Sequence, residues 1–163
     1  MREMTRKEIA FVLDRVKWAT ICTVTLAGRP YAIEATPYMD EGDICFMINP
    51  RGGTWKNIRQ NPNVLVKSTL ASGDLSWWAG VSCFGHGRFD DDPAAIVRGF
   101  DLLGAVMGAD YSEAGIKHSG NPERSPLFRV TVANTTGRSA PCPDALCSFN
   151  SRPICYARRC LFE

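Results

Sequence analysis

Hydrophobic spacing near the N-terminus predicts a first helix over about residues 5–16. Apolar side chains recur there every three or four positions, at Ile9, Val12, Leu13 and Val16. Thr5 and Glu8 stand three positions apart just before this run, which is the capping-box pattern that begins helices. A later helix is predicted from Asp92 to about Met107, because Asp92 suits the N-cap and Pro93 the first helical position.

Elsewhere the pattern changes to roughly alternating or continuous runs of β-branched and apolar residues, which is typical of β-strands. Six such runs cover about residues 18–25, 31–36, 44–48, 64–69, 78–89 and 127–132. Most of them follow one another as hairpins, and the predicted helices lie between them. The pattern therefore predicts an α+β fold that is mainly β, with a six-stranded antiparallel barrel and peripheral helices.

Glycine and proline mark the connections. A short helix is predicted from Trp55 to Gln60, ended by Asn61-Pro62, and residues 108–125 are predicted to be a loop with at most one helical turn. Interior glycines in the fifth run indicate bulges or sharp bends. Thr136-Gly137-Arg138 is predicted to turn the chain out of the sixth strand.

Length and charge exclude several classes of protein. The 163 residues suit one domain of ordinary size, and no run approaches the ~20 apolar residues of a membrane helix. The 19 basic and 17 acidic side chains give a net charge of +2, too balanced for a protein that binds a nucleic-acid backbone. The first 15 residues are charged throughout and lack the apolar core of a signal peptide, so we expect a cytoplasmic protein without nucleic-acid or membrane partners.

Four of the seven cysteines lie near the C-terminus, at Cys142, Cys147, Cys155 and Cys160. Four thiolates could bind zinc or an iron–sulfur cluster, but their spacing lacks the C-x2-C pattern of structural zinc sites. A poorly ordered extension with incidental thiols is the favoured alternative. We therefore predict a folded domain over residues 1–138, a Cys-rich tail over 139–163, and no metal site.

The order of several short motifs resembles a known family. These motifs are Gly28-Arg29-Pro30-Tyr31, Asn61-Pro62-x-Val64, Phe84-Gly85-x-Gly-Arg88-Phe-x-Asp-Asp and Thr136-Gly137-Arg138. Together they resemble the pyridoxamine-5′-phosphate-oxidase-like split-barrel flavoproteins over about residues 2–138, with the nitroimidazole-resistance (Nim) type as the closest branch. The resemblance implies a six-stranded antiparallel split β-barrel, a homodimer, and flavin mononucleotide (FMN) held in the cleft between the two chains.

The resemblance also places the flavin phosphate near the loop before the short helix. The lysine usual in that family aligns with Thr54, and the histidine common in the Nim branch aligns with Met47. Amides, a hydroxyl and two cations are nevertheless present in this loop, at Asn49, Arg51, Gly52, Gly53, Thr54 and Lys56. We expect Arg51 and the Thr54 hydroxyl to be the main side-chain partners of the phosphate; the alternative is a surface loop whose charges are solvated.

Candidate contacts to the flavin ring come from two of the predicted strands, the second and the fifth. Trp78 could stack on the ring, whereas Thr36 and Ser82 lie where the family presents polar groups to it. The resemblance implies an FMN-binding oxidoreductase that reduces a small acceptor, and its Nim-type branch implies a nitro-aromatic acceptor. The alternative is a flavin or haem carrier of the same fold that catalyses no reaction, and no residue is identifiable as a catalytic acid or base.

Overall fold

The computed structural model describes residues 1–140. Eight strands form one antiparallel sheet: β1 (Arg2–Glu3), β2 (Ala19–Val24), β3 (Pro30–Ala35), β4 (Tyr38–Asp40), β5 (Asp43–Met47), β6 (Asn63–Ala71), β7 (Trp78–Phe89) and β8 (Leu127–Ala140). Four α-helices accompany them: α1 (Arg6–Arg15), α2 (Gly53–Ile58), α3 (Pro93–Met107) and α4 (Ser112–Ser119). A short 3-10 helix, Pro122–Arg124, precedes β8.

The strands follow the order β3-β2-β6-β7-β8-β5-β4, and β1 pairs with the far end of β8. This sheet curls into a barrel-like shape around the longest strands, β7 and β8. A register shift between Phe84 and Gly85 bends β7 where it pairs with β8. A Cβ atom on Gly85 would lie 2.2 Å from the carbonyl oxygen of Thr131, so the close approach of the two backbones requires glycine there.

The predicted α+β, mainly β architecture is confirmed, but the prediction of six strands is wrong. The two strands that were missed, β1 and β4, have only two and three residues, too few to show a periodic pattern. The predicted turn at Thr136-Gly137-Arg138 is also wrong, because these residues continue β8 and pair with β7. Gly137 instead packs against α1, where an added Cβ would lie 2.8 Å from Ile9.

The helix predictions hold best where the signal is local. In α1 the Thr5 hydroxyl accepts from the Glu8 backbone while the Glu8 carboxylate accepts from the Thr5 backbone, as the capping box requires. In α3 the Asp92 side chain caps the first turn. The short helix begins two residues earlier than predicted, at Gly53, and α4 is a complete helix where only one turn was expected.

Two apolar clusters form the core. The larger lies between α1 and the inner face of the sheet, and includes Val12, Ile21, Phe46 and Phe128. The smaller packs α3 against β4 and β5, around Tyr38, Ile96 and Leu127. None of the helices within residues 1–140 is long and apolar enough to cross a membrane.

A buried cluster of charges fixes α3 to the β4–β5 hairpin. Arg129 is only 1% exposed, and its guanidinium donates to Asp90 at 2.7 Å and to Asp40 at 2.5 Å. Arg98 on α3 binds the same Asp40 carboxylate through two hydrogen bonds of 3.0 Å. Burial alone would raise the pKa of Asp40, but the bonds from Arg98 and Arg129 outweigh it and lower that pKa.

Candidate functional site

A cleft of about 350 Å³ opens between the β3 and β5 edges and the C-terminal half of α3. Its walls include Trp18, Thr36, Met47, Asn49 and Tyr111. Most of the lining is apolar, and Trp18 projects into solvent with 62% of its surface exposed. An apolar cleft with a few polar groups is the usual form of a site for a planar organic ligand.

The loop that follows β5 continues directly from this cleft. Asn49 lines the cleft, and its carbonyl oxygen accepts a hydrogen bond of 3.3 Å from the Gly52 amide. Arg51 is exposed and has a positive φ of 68°, which turns the loop back on itself. A Cβ on Gly53 would lie 2.5 Å from the Tyr31 phenol, so the start of α2 rests closely on β3.

The predicted phosphate residues differ in how they face solvent. Arg51 and Lys56 are exposed, and neither forms an ion pair with any carboxylate of residues 1–140. Thr54 is 2% exposed, and its hydroxyl has no hydrogen-bond partner among the described residues. The cap residue of α2, Gly52, offers no side chain to the amides of its first turn.

A second feature, which we call the Gly80 platform, lies on the outer face of the sheet and consists of Lys67, Trp78, Gly80 and Ser82. Trp78, Gly80 and Ser82 alternate along β7 and therefore share one face. The ammonium group of Lys67 on β6 donates to the Ser82 hydroxyl at 3.3 Å. A Cβ added to Gly80 would lie 2.9 Å from the Lys67 Nζ atom and 3.6 Å from the Trp78 ring.

A row of polar side chains connects the cleft with the Gly80 platform. Glu34 lines the cleft and accepts a hydrogen bond of 2.5 Å from the Thr20 hydroxyl. Thr20 pairs with Lys67 across β2 and β6, and Lys67 pairs with Ser82 across β6 and β7. The cleft and the platform therefore belong to one continuous surface of the sheet.

The structure groups the predicted site residues into three neighbouring places. Thr36 and Asn49 share the cleft, the residues from Arg51 to Lys56 form the adjoining loop, and Trp78 and Ser82 share the Gly80 platform. Sequence reasoning missed Lys67 and Gly80. The signal available in the sequence was one lysine inside an otherwise apolar strand run, Val64-Leu65-Val66-Lys67.

Beside the Gly80 platform, the outer face of the sheet carries an apolar hollow of about 540 Å³. Its lining includes Cys22, Leu65, Phe84 and His86, and Phe84 leaves 45% of its surface exposed. Burial, with a smaller contribution from the Glu34 carboxylate, raises the pKa of the Cys22 thiol. This cysteine is therefore a neutral part of the apolar surface and not an activated nucleophile.

Within residues 1–140, no group of three or more histidine, cysteine or acidic side chains is arranged to hold a metal ion. The four C-terminal cysteines that could bind zinc or an iron–sulfur cluster, Cys142, Cys147, Cys155 and Cys160, lie outside the described residues.

No family model and no curated protein matches the sequence. Solved structures do match the fold. A candidate 5-nitroimidazole antibiotic resistance protein from Bacteroides thetaiotaomicron is 16% identical, with a TM-score of 0.69 over 85% of this chain and 86% of that one. A FAD-binding protein from Mesorhizobium loti is 20% identical, with a TM-score of 0.64 over 85% and 97% of the two chains.

A haem-storage protein from Vibrio cholerae, HutZ, is 16% identical, with a TM-score of 0.60 over 79% of this chain and 90% of that one. At these identities the likeness establishes the fold and not the ligand. The residues present fit a flavin on two structural grounds: the cleft is apolar with a few polar groups, and the loop beside it has two cations, Arg51 and Lys56, that form no ion pair within residues 1–140. The chain thus has a fold on which both flavin-binding and haem-binding proteins are built.

Proposed function

We propose that this protein is an FMN-binding oxidoreductase of the pyridoxamine-5′-phosphate-oxidase-like split-barrel family that reduces a small acceptor, with a nitro-aromatic compound as the first substrate to test. The observation that carries this proposal is the continuity of an apolar cleft with a glycine-containing loop whose two cations form no ion pair among residues 1–140. A flavin needs both parts, because its ring is flat and largely apolar and its phosphate carries two negative charges.

In this arrangement the loop holds the phosphate. Arg51 supplies the principal positive charge and Lys56 a second one. The Gly53 and Thr54 backbone amides point from the uncapped first turn of α2, and Gly53 keeps that turn against Tyr31. Because the Thr54 hydroxyl is enclosed, we assign its contribution to the backbone amide.

The cleft and the Gly80 platform would hold the ring. Thr36 and Asn49 offer polar contacts at the cleft, the exposed indole of Trp18 can cover one face of a planar group, and the apolar lining keeps water away. Bound flavin would supply the electron transfer itself, between a reductant and the acceptor.

We further propose that a second copy of the chain covers the outer face of the sheet, giving a homodimer. Phe84, Cys22 and Leu65 line an open apolar hollow on that face, and a contiguous exposed apolar patch of this kind is typical of an interface. Light scattering at micromolar concentration should give twice the chain mass, and Phe84→Glu should give the monomer. A monomeric wild-type protein would refute the dimer.

Flavin binding is tested by titrating FMN and following the quenching of its fluorescence. The wild-type protein should bind FMN, and the complex should then oxidise NAD(P)H in the presence of a nitroimidazole. Binding without turnover would support the carrier alternative, whereas absence of binding would contradict the flavin proposal altogether.

The phosphate assignment has its own test. Arg51→Ala should weaken FMN binding by roughly ten- to a hundredfold, because a charge-assisted hydrogen bond contributes about 1.5–3 kcal/mol. The matched control is Arg59→Ala, whose guanidinium stacks on Trp55 near the end of the same helix. Equal dissociation constants for wild type and Arg51→Ala would place the phosphate elsewhere.

One observation favours a second function, the carriage of haem. His86 is exposed and lies on the wall of the apolar hollow beside Phe84. A haem requires apolar walls and an axial ligand, which an imidazole can provide. Titration with haem should then produce a Soret band that shifts in His86→Ala, and no such band should form if the hollow serves only as an interface.

A further inference from the structure

We propose that Trp18 and Glu34, which together we call the cleft rim, select an acceptor that is a planar aromatic compound with a positive charge. This inference rests on the proposed oxidoreductase function and names the class of acceptor that the protein would reduce. Aromatic acids, which carry a negative charge, are the class that the cleft rim disfavours.

The first argument is the placement of the two side chains on the sheet. Thr20 on β2 pairs with Glu34 on β3. Trp18 stands two positions before Thr20, Thr36 stands two positions after Glu34, and side chains at that spacing share one face of a sheet. Trp18, Glu34 and Thr36 all line the cleft. The register therefore sets the indole diagonally across from the carboxylate, and diagonal neighbours lie about 7–8 Å apart, which one aromatic ligand can span.

The second argument is the charge of the cleft. Among the described residues that line it, Glu34 is the one with a formal charge at neutral pH. Its Oε1 atom accepts from the Thr20 hydroxyl at 2.5 Å, and its carboxylate forms no ion pair within residues 1–140. The bond to Thr20 holds the carboxylate in place and leaves its second oxygen for a ligand. A carboxylate in this position attracts a positively charged ligand and repels a negatively charged one.

Two lysines near the cleft are directed away from Glu34. The Lys67 ammonium group donates to the Ser82 hydroxyl at 3.3 Å, and the Lys17 ammonium group donates to the Val106 carbonyl oxygen at 2.8 Å. Neither lysine forms an ion pair with Glu34. The Glu34 charge is therefore available to a ligand at the cleft rim.

The third argument is the exposed indole of Trp18. This side chain leaves 62% of its surface exposed although it lines an apolar cleft. A flat ring can stack on an indole, and the face of an indole also attracts a positive charge. Trp18 and Glu34 therefore favour the same ligand, an aromatic cation, whereas an aromatic anion gains the stacking but is repelled by the carboxylate.

The test compares three nitrobenzenes of similar size that differ in charge: cationic 4-nitrobenzylamine, neutral 4-nitrobenzyl alcohol and anionic 4-nitrobenzoate. Isothermal titration calorimetry at neutral pH, with and without FMN, measures their dissociation constants. The amine should bind wild type roughly three- to tenfold more tightly than the alcohol, and the benzoate should bind more weakly than the alcohol. With FMN bound, the rates of nitro reduction at low acceptor concentration should follow the same order.

Variants at the cleft rim separate charge from stacking. Glu34→Gln keeps an oxygen that can accept from Thr20 but removes the charge, so the amine should lose most of its advantage and the benzoate should bind more tightly. Trp18→Leu should weaken all three compounds, the amine most, whereas Trp18→Phe retains a ring and should keep most of the affinity. Glu123→Gln, at an exposed carboxylate of the 3-10 helix, is the matched control and should change none of the three.

Each result decides between the cleft rim and the proposed function. If wild type binds FMN but holds the three compounds equally well, or if Glu34→Gln keeps the wild-type order, the selection by Glu34 is overturned and the flavin proposal stands. If wild type does not bind FMN but shows the charge order, and Glu34→Gln loses it, the oxidoreductase proposal is wrong and the cleft rim still selects aromatic cations. If none of the three compounds binds with or without FMN, the inference about the cleft rim is overturned.

Discussion

Two cationic side chains on neighbouring parts of the sheet have opposite surroundings. Arg129 on β8 is enclosed, and its guanidinium is bonded to Asp40 and Asp90. Lys67 on β6 is only half-buried, and its one hydrogen bond to a side chain of residues 1–140 goes to the neutral hydroxyl of Ser82. Both are interior or partly interior cations of the same fold, but only Arg129 has its charge compensated within the described chain.

The difference indicates that Arg129 stabilises the fold, whereas Lys67 is available to bind a ligand. Three elements meet at Arg129, because Asp40 follows from β4, Asp90 from the end of β7, and Arg98 binds Asp40 from α3. A cation that is satisfied on all sides stabilises the fold and offers nothing to a ligand. Lys67 leaves donors unused at the Gly80 platform, so its removal should affect ligands more than folding.

The largest effect is expected from breaking the compensated cluster. Arg129→Met should lower the free energy of unfolding by about 3–5 kcal/mol, because it leaves the buried Asp40 carboxylate and the half-buried Asp90 carboxylate short of a partner. Urea unfolding measures this change. Arg124→Met, at an exposed arginine of the 3-10 helix, is the control and should change the stability by less than about 0.5 kcal/mol. A similarly small change in Arg129→Met would show that the cluster does not hold α3 in place.

A second compensated charge allows the comparison to be tested by pH. Glu8 is buried in the capping box of α1, and the hydrogen bond from Arg2, helped by those from Thr5, lowers its pKa to about 2. A carboxyl whose pKa is lower in the folded state than its usual 4.5 contributes its full stabilisation above pH 4.5 and loses it as the pH falls towards 2.

Glu8→Gln should therefore destabilise the protein by about 2 kcal/mol at neutral pH, since the pair and the cap are both weakened. The difference from wild type should shrink as the pH falls from 4.5 to 2, because wild-type Glu8 then becomes neutral as well. Urea unfolding at a series of pH values measures this. A difference that stays constant over that range would mean that the Glu8 charge has no role in stability.

These features also differ in how far the sequence predicts them. The capping box of Thr5 and Glu8 and the cap at Asp92 depend on residues within three positions of each other, so both helices were predicted with nearly correct ends. The strand β4 pairs with the adjacent β5 but has only three residues, and the cations that hold its Asp40, Arg98 and Arg129, lie far along the chain. No pattern within three residues can show such contacts, which is why β4 was missed.

The sequence likewise predicts only those parts of the candidate site whose residues are adjacent in the chain. Residue type and spacing identified the loop from Asn49 to Lys56, because its glycines and cations are adjacent in sequence. The Gly80 platform depends on register instead: Lys67 meets Ser82 only because β6 and β7 pair in one particular alignment. The continuation of β8 through Gly137 depends on β7 in the same way, and a local turn motif predicted the opposite.

The smallest change in stability is expected at Lys67, and it completes the comparison. Lys67→Met removes a half-buried charge that has no carboxylate partner in the described part of the chain, and it keeps an apolar stem over the sheet. The free energy of unfolding should therefore stay within about 0.5 kcal/mol of wild type or rise slightly. Urea unfolding without ligand measures this, and Ser82→Ala provides a matched removal of the other donor. A loss of several kcal/mol in Lys67→Met would mean that this lysine supports the fold, as Arg129 does, and the contrast between the two cations would disappear.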